Sequence, residues 1–432
     1  MTNLERKYIE NAVQLNSDEN REDLPLRGSE RQRHLEDLIQ HFASEFPADA
    51  EGLRISRNEL ENQIRNLLDE SQSRSDSVEA FQEGFRQLPS KIRDVSLKNY
   101  QIGVPLNISP QIPFDEIGFG NYRFEIVAKE EWTEKFAAPA LSDPEFSKQF
   151  EQVPNSFEDD YTYWVLEYEA RDSEHILEIA ERYLGVILGQ LIYCLFDWGH
   201  TNRFDGETVW NRPWSELRLP FVYILREGDD FHSAFFDDDI SPRHTIEMYR
   251  DRQERLEVRY QQIPQLDNPN EIEEKLINSF KNFQSGATES DSRQAFLDYW
   301  RAVETLCKFN EDDKMERVAE RARAIIPRQD SLLKERFDAI ADKRNSLVHE
   351  KVGVTVTHRD NEFLRSVVYN LIPFMIINRE WNPDRIKDWL DMSSKKSSDL
   401  SHKLRLLEEE IEEKERDAEM AQRILDGRER GG

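Results

Sequence analysis

LKERFDAIADKRNSLVHEKVGVTV, residues 333–356, changes its period once, and that change decides how the C-terminal part of the chain is read. Up to Leu347 the apolar residues return at helical spacing, at Leu333, Phe337, Ile340 and Leu347, with Arg344 standing where the stripe requires a core residue. Beyond His349 the pattern becomes Val352, Val354, Thr355 and Val356, broken by Gly353, so the helix is expected to end near His349. A guanidinium at a core position is costly to bury unpaired. Arg344 therefore has to face a carboxylate, a partner chain or a bound phosphate.

Working outward, the neighbouring segments carry the same helical period with hardly any strand signal. One has Ile272, Leu276, Phe280 and Phe283, and the next has Phe296, Trp300, Val303 and Cys307. A third has Met315, Val318, Ala322 and Ile325 and stops at Pro327; a last one, after Gly353, has Leu364, Val367 and Leu371. Stripes one turn apart on each helix can close a small bundle over residues 271–380. Residues 381–432 read as a separate amphipathic or coiled-coil helix and tail, with no bundle helix beyond Asn382. There Leu400, Leu404, Leu407, Ile411, Lys414, Ala418, Ala421 and Leu425 step by four and three, as a heptad seam does. A single amphipathic helix folded back on its own domain fits the same pattern.

Toward the N-terminus the period changes. Ile102, Val104, Leu106 and Ile108 alternate, as do Tyr122, Phe124 and Ile126, which predicts strands with one buried face. Tyr161 to Tyr168 is an aromatic, β-branched run, and Phe221 to Leu225 and Phe231 to Phe236 flank the hairpin turn Glu227-Gly228-Asp229-Asp230. Between them a helix starts near Asp172, whose side chain can cap the first turn. It runs through Ile176, Ile179, Tyr183, Ile187, Leu191 and Leu195. Residues 96–240 are thus an α+β domain, without a phosphate-binding glycine loop, a metal-ligand cluster or a nucleophile motif. Residues 1–95 read as a solvated helical lead segment, with stripes at Leu35, Leu38, Ile39 and Phe42 and at Leu60, Ile64, Leu67 and Leu68; residues 241–270 read as a polar connection. The fold class is α+β, mostly helical.

The chain of 432 residues has a formal charge of −29, and a surface that acidic repels polyphosphates. The charge is unevenly spread. Residues 151–240 hold 20 acids against 6 bases, a net of −14, whereas residues 291–380 balance at zero. The bundle is therefore the least repulsive part of the chain for nucleic acid. Arg outnumbers Lys, 40 to 18, and an acid-rich, Lys-poor composition is what a high-salt, halophilic cytosol favours. Cys194 and Cys307 lie far apart inside apolar helical patterns, which points to buried reduced thiols, not to a disulfide framework or a zinc site. The longest apolar run, Leu184 to Phe196, is interrupted by Gly189 and Gln190 and is too short to span a bilayer, and the polar N-terminus lacks a signal-peptide core. A cytoplasmic protein without a membrane partner is expected.

The candidate chemistry lies in Arg344-Asn345-Ser346-Leu347-Val348-His349. The spacing carries little by itself: with 40 Arg and 9 His, about one Arg-x4-His arises by chance. Asn345 directly after the Arg, and the placement of the Arg in an apolar stripe, add the specificity. Five residues on an ideal helix turn through about 500°, leaving Arg344 and His349 roughly 140° apart. For both to serve one substrate, the helix must end within the motif or the site must be assembled across a dimer.

With Tyr299-Trp300-Arg301-Ala302-Val303-Glu304 in the second bundle helix and Arg-Asn-x3-His near the end of the fourth, residues 271–380 resemble HEPN domains. The Apea-like branch, found in prokaryotic anti-phage defence proteins, is the most similar. The resemblance covers about a quarter of the chain. It implies a homodimer that brings two Arg-x4–6-His motifs into one cleft and acts as an endoribonuclease without metal or other cofactor. Arg344 would hold the scissile phosphate, His349 would move a proton as the ribose 2′-hydroxyl attacks, and Asn345 would orient the site. Glu304, one turn from Lys308, matches the acidic position of the family's second helix; an ordinary helix ion pair is its other reading. An imidazole suits proton transfer near neutral pH. The resemblance also implies RNA as the substrate and a phage or protein trigger acting through the α+β domain as sensor. Two other readings stay open. In one the bundle only dimerises or binds RNA, a nucleotide or a protein partner; in the other a partner enzyme silences the site by nucleotide modification. His358 and Arg359 read as a solvated loop beside the site.

Overall fold

In the computed structural model the residues described are 3–16, 28–44, 46, 50–72, 74, 76–119, 122–150, 160–195, 214–236, 245, 246, 248, 250–262, 269–326, 331–349, 353–393, 405, 414 and 416. They form a mostly helical α+β chain with one antiparallel sheet, divided into two compact units, Met1–Ile187 with Glu216–Glu257 and Leu188–Ser215 with Val258–Gly432. No helix among the described residues is long and apolar enough to cross a membrane.

The first unit opens with helices α1 (Asn3–Asn16), α2 (Gly28–Ser44), α3 (Ala50–Leu53), α4 (Arg57–Gln72) and α5 (Ser77–Asp94). Their stripes do more than the solvated lead expected of them. Ile9, Ala12, Ile39, Phe42, Ile64, Leu68 and Phe81 close a hydrophobic core of their own. The sheet follows, with β1 (Lys98–Leu106), β2 (Glu116–Phe119), β3 (Tyr122–Val127), β4 (Thr162–Ala170), β5 (Val222–Glu227) and β6 (Asp230–Phe236) in the order β2-β3-β4-β1-β5-β6. Pairing β1 with β4 sets Ile102 opposite Leu166 and Val104 opposite Trp164, so the alternating apolar residues share one face. The other face, with Tyr163, Val222, Ile224 and Ala234, is covered by Trp132 and Phe136, carried by α6 (Lys129–Trp132) and the π-helical turn that follows it. The short helices α7 (Ala138–Ser142) and α8 (Pro144–Phe150) complete this segment. In the β5–β6 hairpin Glu227 pairs with Asp230, and Gly228, first in the two-residue turn, takes a φ of 59°, a conformation that a side chain disfavours.

Helix α9 (Ser173–Leu195) begins where expected: Asp172 Oδ1 accepts the His175 backbone N–H at 2.9 Å. The other oxygen of Asp172 accepts the Ser56 N–H at 2.8 Å, and Glu178 accepts the Arg57 N–H at 3.1 Å. Carboxylates at the start of α9, from Asp172 before it and Glu178 within it, thus satisfy free donors that open α4, and residues 1–95 and the sheet lie in one compact unit. Residues 241–270 are not wholly a connection, since α10 (Arg250–Gln262) is helical and buries Leu256.

The second unit takes the last residues of α9 and adds α11 (Glu271–Thr288), α12 (Ser292–Cys307), α13 (Met315–Ala324), α14 (Ser331–Val348), α15 (His358–Ile377) and α16 (Pro383–Ser393). Asn270 caps α11 through the Ile272 and Glu273 N–H groups, and Asp291 caps α12 through Arg293 and Gln294. Gly189 of α9 lies so close to α11 that an added Cβ would sit 2.1 Å from the Phe280 carbonyl oxygen. Helix α16 corrects the expectation of no bundle helix beyond Asn382. It buries Ile386 and Leu390, sets Trp389 against Phe374, and sends Asp391 onto Arg321 of α13 at 2.7 Å. The heptad seam from Leu400 to Leu425 lies outside the described residues, Lys414 apart.

Candidate active site

Arg344 and Glu304 meet across two helices. In α12 the buried stripe Phe296, Tyr299, Trp300 and Val303 sets the helix against the core, which leaves Glu304 at its last turn half-buried. In α14 Phe337, Ile340, Ala341 and Leu347 do the same for Arg344. The guanidinium Nη2 lies 3.3 Å from Glu304 Oε2, with the two side chains 22% and 20% exposed. Of the three partners open to an arginine in an apolar stripe, the one found within the chain is a carboxylate. Nη1 of Arg344 donates to Asn345 Oδ1 at 3.3 Å, so the structure brings Glu304, Arg344 and Asn345 together. The second oxygen of Glu304 lies 3.8 Å from Lys308 Nζ.

His349 is not part of that group. Helix α14 ends at Val348, as the change of period predicts. The His349 N–H still donates to the Asn345 carbonyl at 3.1 Å, the i to i−4 bond of a helix, so the turn continues to His349 and keeps it away from the Arg344 side. Its side chain is exposed and makes no hydrogen bond or ion pair among the described residues. Tyr299 and Trp300 are core residues; burial pushes the Tyr299 phenol up to about 12. His358 opens helix α15 instead of lying in a loop, 74% exposed and 3.4 Å from Glu362.

Two buried ion clusters frame the site, and neither was anticipated from the sequence. Asp360, at the start of α15, accepts from Arg336 at 2.9 Å, Lys343 at 2.6 Å and the Thr357 N–H at 2.8 Å. Burial pushes its carboxyl up, but these donors more than reverse that and hold it below the usual range. Since Arg336 and Lys343 lie two turns apart on α14, Asp360 holds the stretch of that helix that leads into Arg344. Arg321, 2% exposed, joins Asp313 at 2.6 Å, Asp391 at 2.7 Å and the Cys307 carbonyl at 2.9 Å. Asp313 is held well below the carboxylate range: burial raises it, yet Arg321 and the Phe309 and Asn310 N–H groups outweigh that. Burial pushes the Cys307 thiol up to about 12. Lys275 donates to the Lys308 carbonyl at 2.6 Å and to that of Thr305 at 3.4 Å. Two cations thus close the C-terminal end of α12, where carbonyl oxygens lack helical partners. A lone Arg between Val318 and Ala322 was the available signal for Arg321; nothing in the spacing singles out Lys275. Among the described residues no three metal-ligating side chains gather. No family model matches the chain, nor does any curated protein or solved structure.

Proposed function

We propose that the protein is a HEPN-type endoribonuclease that cleaves RNA without metal in a defence or toxin role, its site composed at a homodimer cleft. The observation that carries this reading is the separation of Arg344, on α14, from His349, just past the end of that helix. Arg344 is half-buried against Glu304, and His349 stands exposed at the helix end. One chain does not turn both groups toward a single phosphodiester, whereas two helix ends brought together would supply an arginine and an imidazole to it. The neutral charge balance of residues 291–380 supports an anionic substrate there. In this mechanism Arg344 neutralises the non-bridging oxygens as charge builds on phosphorus, and Asn345 keeps its guanidinium in place. His349 takes the 2′-hydroxyl proton as that oxygen attacks. The 5′-oxygen leaves and takes a proton from water, giving a 2′,3′-cyclic phosphate and a 5′-hydroxyl, and His349 returns its proton to solvent. The acidic α+β part of the chain serves as the sensor of a phage or protein trigger.

The test is cleavage of RNA by the purified full chain. Arg344→Ala and His349→Ala are each expected to abolish cleavage and leave the far-UV helical signal intact. Arg344→Lys is expected to lose most activity, because an ammonium lacks the two-pronged grip on phosphate oxygens. Activity should survive EDTA, since no step uses a metal. Wild-type cleavage by the double alanine variant would refute the site. A second reading, a non-catalytic module that dimerises or binds RNA, a nucleotide or a protein, is favoured by the Glu304 partner that Arg344 already has. It predicts no cyclic-phosphate ends under any trigger.

A further inference from the structure

We infer that Glu304 occupies the phosphate subsite of Arg344 in the resting protein, and that Lys308 is the seat to which the carboxylate moves when a phosphodiester arrives. This rests on the ribonuclease reading and adds a regulation of its site. Glu304 divides its two oxygens between two cations, Oε2 at 3.3 Å from Arg344 and Oε1 at 3.8 Å from Lys308. A carboxylate and a phosphodiester compete for the same face of a guanidinium, because both present paired anionic oxygens to its fork. The resting protein therefore holds Arg344 neutralised, which shields it from other anions. The second cation is already beside the carboxylate that would move. The main chain that carries Lys308 is fixed. Its N–H bonds the Glu304 carbonyl at 2.8 Å and its own carbonyl accepts from Lys275 at 2.6 Å. The preceding carbonyl, of Cys307, is held by Arg321 at 2.9 Å. Asn345 stays on Arg344 Nη1, so the guanidinium keeps its orientation when Glu304 departs. Lys308 acts here as a positioning residue, through Glu304 and not on RNA.

The experiment measures binding of an RNA oligonucleotide methylated at every 2′-oxygen, which lacks the attacking hydroxyl, to the full chain. Glu304→Gln keeps the shape of the side chain and removes its charge, and is expected to tighten binding roughly two- to fivefold, the effect of a partly exposed ion pair. Lys308→Met removes the second seat and is expected to weaken binding by a similar factor. In the Glu304→Gln background Lys308→Met is expected to change nothing, because the lysine acts only through the carboxylate. Binding unchanged or weakened by Glu304→Gln overturns the inference, as does an equal loss from Lys308→Met in both backgrounds, which would place Lys308 on the RNA itself. Glu304→Asp, which keeps the charge on a shorter arm, serves as the second variant if the glutamine form misfolds; it should bind between wild type and Glu304→Gln, and weaker binding than wild type overturns the idea. Arg344→Ala separates the two levels. If it leaves RNA binding untouched, the ribonuclease site is wrong; if it abolishes binding while Glu304→Gln fails to tighten it, only the carboxylate exchange is wrong.

Discussion

Replacing Asp391 by Ala tests how far α16 belongs to the bundle. Arg321 is 2% exposed and divides its guanidinium between Asp313, at 2.6 and 3.3 Å, and Asp391, at 2.7 and 3.4 Å. Removing one partner from a buried pair costs about 3–5 kcal/mol. Asp313 and the Cys307 carbonyl stay on Arg321, so its charge is not left alone, and the loss is set at the lower end, about 3 kcal/mol. Arg317, also 2.8 Å from Asp391 but 38% exposed, adds little. At about 1.4 kcal/mol per tenfold, 3 kcal/mol raises the opening equilibrium between α13 and α16 by roughly a hundredfold or more. Amide hydrogen exchange on the intact chain, read by mass spectrometry, reports it directly. Peptides covering Met315–Ala324 and Pro383–Ser393 should exchange about a hundred times faster than in wild type, while those of α1 to α5 keep their rates. Truncation after Asn382 should reach at least the same level on α13, because Ile386 and Leu390 are lost as well. Unchanged exchange across α13 in both variants would refute the reasoning and return α16 to the status of a tail.

Two further outcomes are expected. Gly189→Ala should destabilise the second unit by about 2 kcal/mol or more, because its Cβ would meet backbone 2.1 Å away; an exposed helical glycine would instead gain about 1 kcal/mol from alanine, so the sign of the melting shift decides. His175 is held below its ordinary pKa by burial, with Arg54 adding to that and Asp172 and the Ile55 backbone opposing it. The unfolded chain therefore takes up a proton as pH falls through about 6.5 before the folded one does, and stability is lost below that pH by at most about 1.4 kcal/mol per unit. Glu178, whose carboxyl burial raises, works in the opposite sense, so the measurement is the difference between wild type and His175→Leu in chemical denaturation at pH 7.5 and 5.5. Equal pH dependence of the two proteins would remove His175 from the account.

Much of the architecture was legible because it rests on period. The alternation at Ile102 to Leu106 became the central strand β1, the Asp172 cap opened α9, and the loss of helical spacing after Leu347 ended α14 at Val348. What escaped has too few apolar residues to make a period. Strand β2 spans four residues and buries Ile117, α10 is charged along most of its length, and α16 holds its place with Ile386, Trp389, Leu390 and one carboxylate. Long-range partners escaped for a different reason. That Arg344 needed a counter-charge followed from its position in an apolar stripe, but the choice of Glu304, 40 residues away, depends on how α12 and α14 pack. The same limit applies to Arg321 and Asp391, 70 residues apart.

The strand order also bears on how the chain is made. Strand β1 leaves the ribosome first yet lies at the centre of the sheet, between β4 and β5. Its side-chain bonds to those neighbours span 68 residues, from Asn99 to Glu167, and 129 residues, from Lys98 to Glu227. At roughly 5–20 residues per second, synthesis leaves β1 without its second neighbour for something like ten seconds. Helices α1 to α5, whose core needs nothing from the sheet, can close during that interval. The apolar face of Ile102, Val104 and Leu106 cannot, and a nascent chain stalled in that window would present an open strand to whatever lies beside it.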